Sequence, residues 1–132
     1  MADNNISVSG NITRAPELKF TKTGQALTRF SVAVNRRWQN KQSEWEEATS
    51  FFDVSCWGPL AENAANSLAQ GNRVVVTGRL EQRSWEAEDG TKRSTVEIVA
   101  EDVAPSLRYA TASITKLGSL PAKVTNPDDE PF

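Results

Sequence analysis

At 132 residues, with 15 Lys and Arg against 17 Asp and Glu, the chain has the length of one domain and a net charge of −2, far from the strongly basic balance of many nucleic-acid-binding domains. One cysteine, Cys56, and no histidine exclude an internal disulfide, a multi-cysteine or histidine metal site, and Ser-His-Asp or Cys-His catalysis. The polar start Met1-Ala-Asp-Asn-Asn and the lack of a run of about eighteen apolar residues predict neither a signal peptide nor a membrane span; a cytoplasmic, reducing location without a membrane partner is expected.

Ile6, Val8 and Ile12 alternate with Ser7, Ser9 and Asn11, the period-two mark of a half-buried strand over residues 6–12. After the turn residues Thr23-Gly24-Gln25, a second strand runs from Leu27 to Asn35, with Phe30, Val32 and Val34 on one face and Arg29, Ser31, Ala33 and Asn35 on the other. Residues 36–50 are too charged and aperiodic for a strand interior and read as a long, partly extended hairpin arm, whose length suggests function. A third strand spans about Thr49 to Trp57. Gly58 and Pro59 then open a short helix in which Leu60, Ala61, Ala64, Ala65 and Leu68 recur at helical spacing and Gly71 caps the end.

The fourth strand, Asn72 to Trp85, sets Val74, Val76 and Leu80 on its even face, with Gly78 marking a bulge or bend. Asp89-Gly90 turns the chain into a fifth strand, Ser94 to Val103, where Val96, Ile98 and Ala100 align. This order suits an all-β fold, a five-stranded Greek-key OB-type barrel with one short helix between strands 3 and 4. Residues 105–112 read as an extra C-terminal strand. Beyond Lys116 the sequence, with Gly118, Pro121, Pro127 and Pro131, has little to bury and reads as a disordered tail. The expected division is a domain over 1–110 and a tail over 111–132, with the strand extension reaching to 116. Residues 1–110 carry thirteen cationic and fourteen anionic side chains, so the placement of charge decides more than its sum.

The third strand is the most informative. Phe52, Val54 and Cys56 share the buried parity, whereas Phe51, Asp53, Ser55 and Trp57 share the other, and burying that face would strand Asp53. Phe51 and Trp57 are therefore expected on a solvent-facing or ligand-facing surface, unless a partner subunit or loop covers them. In the fourth strand, Arg73, Thr77, Arg79, Glu81, Arg83 and Trp85 share the odd face. Arginine beside exposed tryptophan suits single-stranded nucleic acid, whose bases stack on rings while guanidinium groups neutralise phosphate; an ordinary ion pair between Arg79 and Glu81 is the alternative there. Arg36, Arg37, Trp38 and Lys41 open the arm, and Trp38 is the better stacking candidate. Trp45, among Glu44, Glu46 and Glu47, either packs on the protein or has no role. Asp53 and Glu97 are too weak a pair to suggest a metal-dependent nuclease. No enzyme activity and no cofactor are expected. Asp128, Asp129, Glu130, Pro131 and Phe132 form an acidic end closed by an aromatic, suited to a basic, apolar-floored pocket on another protein or, more blandly, to solubility.

These residues resemble the bacterial single-stranded DNA-binding protein family. The matching stretches are Val8-Ser9-Gly10-Asn11, Pro16-Glu17-Leu18-Lys19-Phe20, Gly58-Pro59-Leu60-Ala61-Glu62, and Gly78-Arg79-Leu80 leading to Arg83-Ser84-Trp85. The run from Pro105 to Ala110 looks like the actinobacterial branch, in which an added C-terminal strand clamps neighbouring subunits. The resemblance covers residues 4–116 and the extreme C-terminus. It implies an OB-fold homotetramer that wraps single-stranded DNA without sequence preference in replication, recombination and repair. It places the base-stacking aromatics on Trp38, Phe51, Trp57 and Trp85, and the partner-docking tip on Asp128 to Phe132. Glu130 stands where the family's tip has an aliphatic, the linker is short, and Asp53, Pro59 and Gln70 stand where relatives are basic. A primosomal adaptor on the same barrel, binding mainly proteins, is the alternative.

Overall fold

The computed structural model describes residues 3–117. Six strands and one helix follow in chain order: β1 (Ile6–Ile12), β2 (Glu17–Phe20), β3 (Ala26–Gln39), β4 (Trp45–Trp57), α1 (Pro59–Ser67), β5 (Arg73–Glu86) and β6 (Lys92–Pro105). The sheet runs β1-β5-β6-β4-β3-β2, and β1 also pairs with β3 at Asn11 and Ile12, which closes a five-stranded barrel with β2 outside the ring. All neighbours are antiparallel except β4 and β6, which meet in parallel at Val54–Ile98 and Ser55–Val99. The all-β barrel with its helix between the third and fourth barrel strands is the architecture expected from sequence.

Alternation fills the interior. Ile12, Phe30, Val32, Val54, Cys56, Val74, Val76 and Ile98 point inward and are buried, and Ala61 and Ala64 of α1 close one end. Thr28 is fully buried, and its hydroxyl donates to the carbonyl of Ala61 at 2.7 Å, which ties the helix to β3 and satisfies an otherwise orphaned group. Gly58, with φ 67°, makes the sharp exit from β4, and Pro59 starts the helix.

Four details differ from the sequence reading. The arm is fully paired: β3 and β4 remain in register out to Gln39–Trp45, and Asn40 closes the tip by accepting the N–H groups of Gln42 and Glu44. Charged residues persist there because both faces of a hairpin projecting beyond the barrel are wet. The helix ends at Ser67 rather than at Gly71, because Leu68 leaves it in an extended conformation and packs against the core; Gly71, with φ 89°, serves the turn beyond. The bulge falls opposite Gly78, on β6: Thr77 faces Asp102 and Gly78 faces Ala100, leaving Glu101 as the extra residue. Parity in β6 therefore flips, so that Ile98 and Val103 both point toward the core, while Val96 and Leu80 lie on a second projecting hairpin and are exposed. Finally, the extra strand of the chain is β2, too short to show a period. Residues 106–117 form no strand: Pro105 ends the ladder, the Ser106 N–H turns onto the Arg73 carbonyl at 2.8 Å, and no sheet edge of the same chain receives the rest.

Gly78 is there because β6 crosses too closely for a side chain; a Cβ would meet the Val99 carbonyl and come within 2.9 Å of the Ala100 Cα. Gly78→Ala is expected to lower the unfolding free energy by about 1–3 kcal/mol, the usual cost of overpacking, read from the urea midpoint. Burial pushes the Cys56 thiol from 9.0 up to about 12. Because the unfolded thiol ionises first, its contribution to stability is complete below pH 9 and is lost progressively above it. Between pH 8.5 and 10.5 the urea midpoint of the natural chain should therefore fall more steeply than that of Cys56→Ala; parallel curves would refute this linkage.

Candidate nucleic-acid interface

An unbroken β3–β4 ladder preserves parity from barrel to tip, so faces can be assigned along its whole length. The face turned away from the core carries Trp57, Phe51 and Trp45 on β4, six residues apart and hence about 20 Å from one to the next. Phe51 faces Ala33, whose small side chain leaves the ring 66 % exposed. Between the rings, Asp53 accepts the Ser31 hydroxyl and Asn35 accepts the Thr49 hydroxyl, each at 2.7 Å, whereas Ser55, of the same parity, is fully buried and its hydroxyl has no protein partner. Lys19, Leu27 and Trp57 form one row across β2, β3 and β4, and Glu17, Arg29 and Ser55 form the next; Lys19 and Arg29 thus share the face of Trp57, with Leu27 between Lys19 and the ring and the Lys19 ammonium 3.9 Å from the Glu17 carboxylate.

Trp38 lies on the opposite face of the same hairpin, level with Glu46. Its neighbour in charge is Arg36, whose guanidinium sits 5.8 Å from the ring centroid. Arg37 belongs to the Phe51 face and covers the ring of Trp45 at 5.1 Å. The four aromatics singled out from the sequence are all exposed, Trp38 and Trp57 at 40 % and Trp85 at 44 %, but they are distributed over two hairpins and over both faces of one. Trp45, set aside because of its acidic neighbours, shares the face of Phe51 and Trp57 and is itself exposed.

On the second hairpin β5 keeps its parity, since the bulge is in β6. Arg83 approaches the Trp85 ring at 5.6 Å, and Arg93 stands directly across from Trp85. A cleft of about 480 Å³ opens there, lined by Trp85, Lys92 and Arg93 among others. Its turn is held by Asp89, whose carboxyl lies below the usual range because the Thr91 hydroxyl and N–H both donate to it. The remaining predicted cations differ in availability. Lys41 lies exposed in the β3–β4 turn. Arg79 is bonded to Glu81 through Nη2 at 2.7 Å and Nε at 2.8 Å, the ion-pair alternative. Arg73 is half-buried under the ring of Tyr109, 5.8 Å from its centroid. Lys19, Arg29, Lys92 and Arg93 are not evident from residue order; strand pairing places Lys19 and Arg29 on the face of Trp57 and sets Lys92 and Arg93 at the level of Trp85.

Exposed rings flanked by guanidinium groups suit a planar ligand that also carries negative charge. Among the described residues no group of three or more Cys, Asp or Glu is arranged to hold a metal ion, and no helix is long and apolar enough to cross a membrane. The residues Asp128 to Phe132 lie outside the described residues.

Comparison with known proteins agrees with the barrel. Residues 3–106 match the model of the single-strand binding protein family. The single-stranded DNA-binding protein of Mycolicibacterium smegmatis is 47 % identical over 116 residues, covering 86 % of this chain and 70 % of that protein. That of Corynebacterium glutamicum is 46 % identical over 118 residues, covering 88 % and 52 %. Among solved structures, a deletion mutant of the Thermus aquaticus single-stranded DNA binding protein superposes with a TM-score of 0.71 at 28 % identity, over 80 % of this chain and 51 % of that one. A Plasmodium falciparum SSB complex with ssDNA reaches 0.74 at 22 %, over 80 % and 97 %, a likeness of fold. The chain belongs to the single-strand binding protein family.

Proposed function

We propose that this chain binds single-stranded DNA without sequence preference, stacking bases on Trp38, Phe51, Trp57 and Trp85 and neutralising phosphates with Arg36, Arg37, Lys41 and Arg83. The observation that carries this reading is the exposure of large rings beside cations on two projecting hairpins, in a chain whose relatives are named single-stranded DNA-binding proteins. Arg79 and Arg73 take a smaller share, one engaged with Glu81 and the other under Tyr109. Stacking is worth about 1–3 kcal/mol per base, so a few platforms give substantial affinity at a net charge near zero, and the clustered arginines make binding weaken with salt. We further propose that the chain acts as a homotetramer in DNA replication, recombination and repair, and that Asp128 to Phe132 recruit partner proteins.

Tryptophan fluorescence titrated with oligo(dT) at low salt tests the central claim: quenching, and a clear preference over duplex, are expected. Trp57→Ala and Trp85→Ala should each weaken binding by about 1–3 kcal/mol, whereas natural-like titrations from both would remove these platforms from the interface. Deleting residues 128–132 should leave oligo(dT) affinity unchanged and abolish retention of partner proteins in a pull-down. If partners remain bound without the tip while DNA binding is weak, the protein-binding adaptor is the better description.

A further inference from the structure

Trp45 is 63 % exposed, against 40, 40 and 44 % for the other three tryptophans, and neither the core nor the four proposed platforms use it. Its surroundings explain the exposure. Gln39 stands directly across from Trp45, but its amide donates to the Ser43 carbonyl at 3.4 Å and so turns toward the tip of the hairpin. Asn40 closes that tip through the N–H groups of Gln42 and Glu44, so the ring stands beside a hydrogen-bonded turn. The cross-strand partner of Arg37 is Glu47, yet among the described residues Arg37 makes no ion pair. Its guanidinium reaches diagonally across the hairpin instead and lies 5.1 Å from the centroid of the Trp45 ring.

Resting on the single-stranded DNA reading, we propose that Trp45 is a fifth stacking platform, which takes an unpaired base on the indole face that Arg37 leaves open, with Arg37 the cation for the adjoining phosphate. A guanidinium covers one face of an indole only, and the exposure of Trp45 leaves the other in water, where a base would cover it. Continuity supports the assignment: strand parity puts Trp45 on the same face as Phe51 and Trp57, so one side of β4 offers three rings over about 40 Å. The glutamates beside Trp45 in the sequence are less opposed to a nucleotide than their order suggests. Glu46 lies on the other face, level with Trp38, and Glu44 lies in the turn. Only Glu47 shares the face, and Arg37 stands across from it.

Two measurements on the full chain test this, with binding followed by the anisotropy of labelled oligo(dT). The chain has four tryptophans, so the triple substitution Trp38→Phe, Trp57→Phe and Trp85→Phe makes Trp45 the sole indole emitter. Its fluorescence should be quenched in step with the anisotropy rise; a rise without quenching would overturn the platform. In the otherwise natural chain, Trp45→Ala should bind about five-fold more weakly or worse, the lower end of the range for one stacked base. Trp45→Phe should recover most of that loss, and Trp45→Leu, apolar but without an aromatic face, should recover little. Natural affinity in Trp45→Ala, or equal recovery by Leu and Phe, would overturn stacking at Trp45 while leaving single-stranded DNA binding intact, and this series decides the matter even where the triple variant binds too weakly to titrate. No binding of oligo(dT) by the natural chain would overturn both readings.

Discussion

Thirteen consecutive cross-strand pairs, from Leu27–Trp57 to Gln39–Trp45, run without a bulge along β3 and β4, and this uninterrupted register governs most of what the surface presents. A strand displays alternate residues on opposite faces. Once Thr28, Phe30, Val32, Val54 and Cys56 are committed to the barrel interior, Trp57 and Phe51 must face outward, and the same parity carries Trp45 to their side and Trp38 to the other. A single inserted residue would exchange the two sets. On β6 such an insertion does occur, at Glu101, and it is placed so that β5, with Arg83 and Trp85, keeps its phase.

Electrostatics follows the same geometry rather than the total. The barrel domain is close to neutral, yet Arg36, Arg37 and Arg83 each lie against an exposed tryptophan, and Arg93 stands across from one. Acidic residues nearby are partly occupied with other tasks: Asp53 with the Ser31 hydroxyl, Asp89 with Thr91, Glu81 with Arg79. Exposed ion pairs of the last kind contribute little to stability. The effect of Glu81 is chiefly to engage Arg79, which concentrates the available positive charge of β5 at its far end, beside Trp85.

Much of this was legible from residue order. Parity alone separates Phe51 and Trp57 from Val54 and Cys56, and Gly58-Pro59 marks the helix start. What escaped depends on contacts between segments distant in sequence. Nothing near Leu68 signals that its side chain will leave the helix for the core. The bulge was read at Gly78, where glycine is conspicuous, whereas the extra residue sits on the partner strand, because the glycine is the site of close approach and the insertion accommodates it. Trp45 looked unpromising among glutamates in the linear sequence, but across the hairpin its ring meets Arg37. β2 is four residues long, too few for periodicity to register, so the alignment of Lys19 with Leu27 and of Glu17 with Arg29 becomes visible only through pairing.

The projecting hairpins carry a thermodynamic consequence. Beyond Val34 on one and Ile98 on the other, neither arm has a buried hydrophobic cluster, so their stability rests on backbone pairing and on surface contacts of the Arg–Trp type, each worth of the order of 0.5–1 kcal/mol when exposed. Such regions belong to the low-stability end of a protein and open locally at small cost. Aromatic area left in water there forfeits roughly 25 cal/mol for every Å² that a ligand would cover. An arm that gains its missing apolar contact only when a planar ligand arrives is stabilised by that ligand, because binding adds to the closed form alone. Ring exposure and low local stability are therefore two aspects of one arrangement: burying the tryptophans on the protein itself would steady the hairpins and remove the aromatic surface they present.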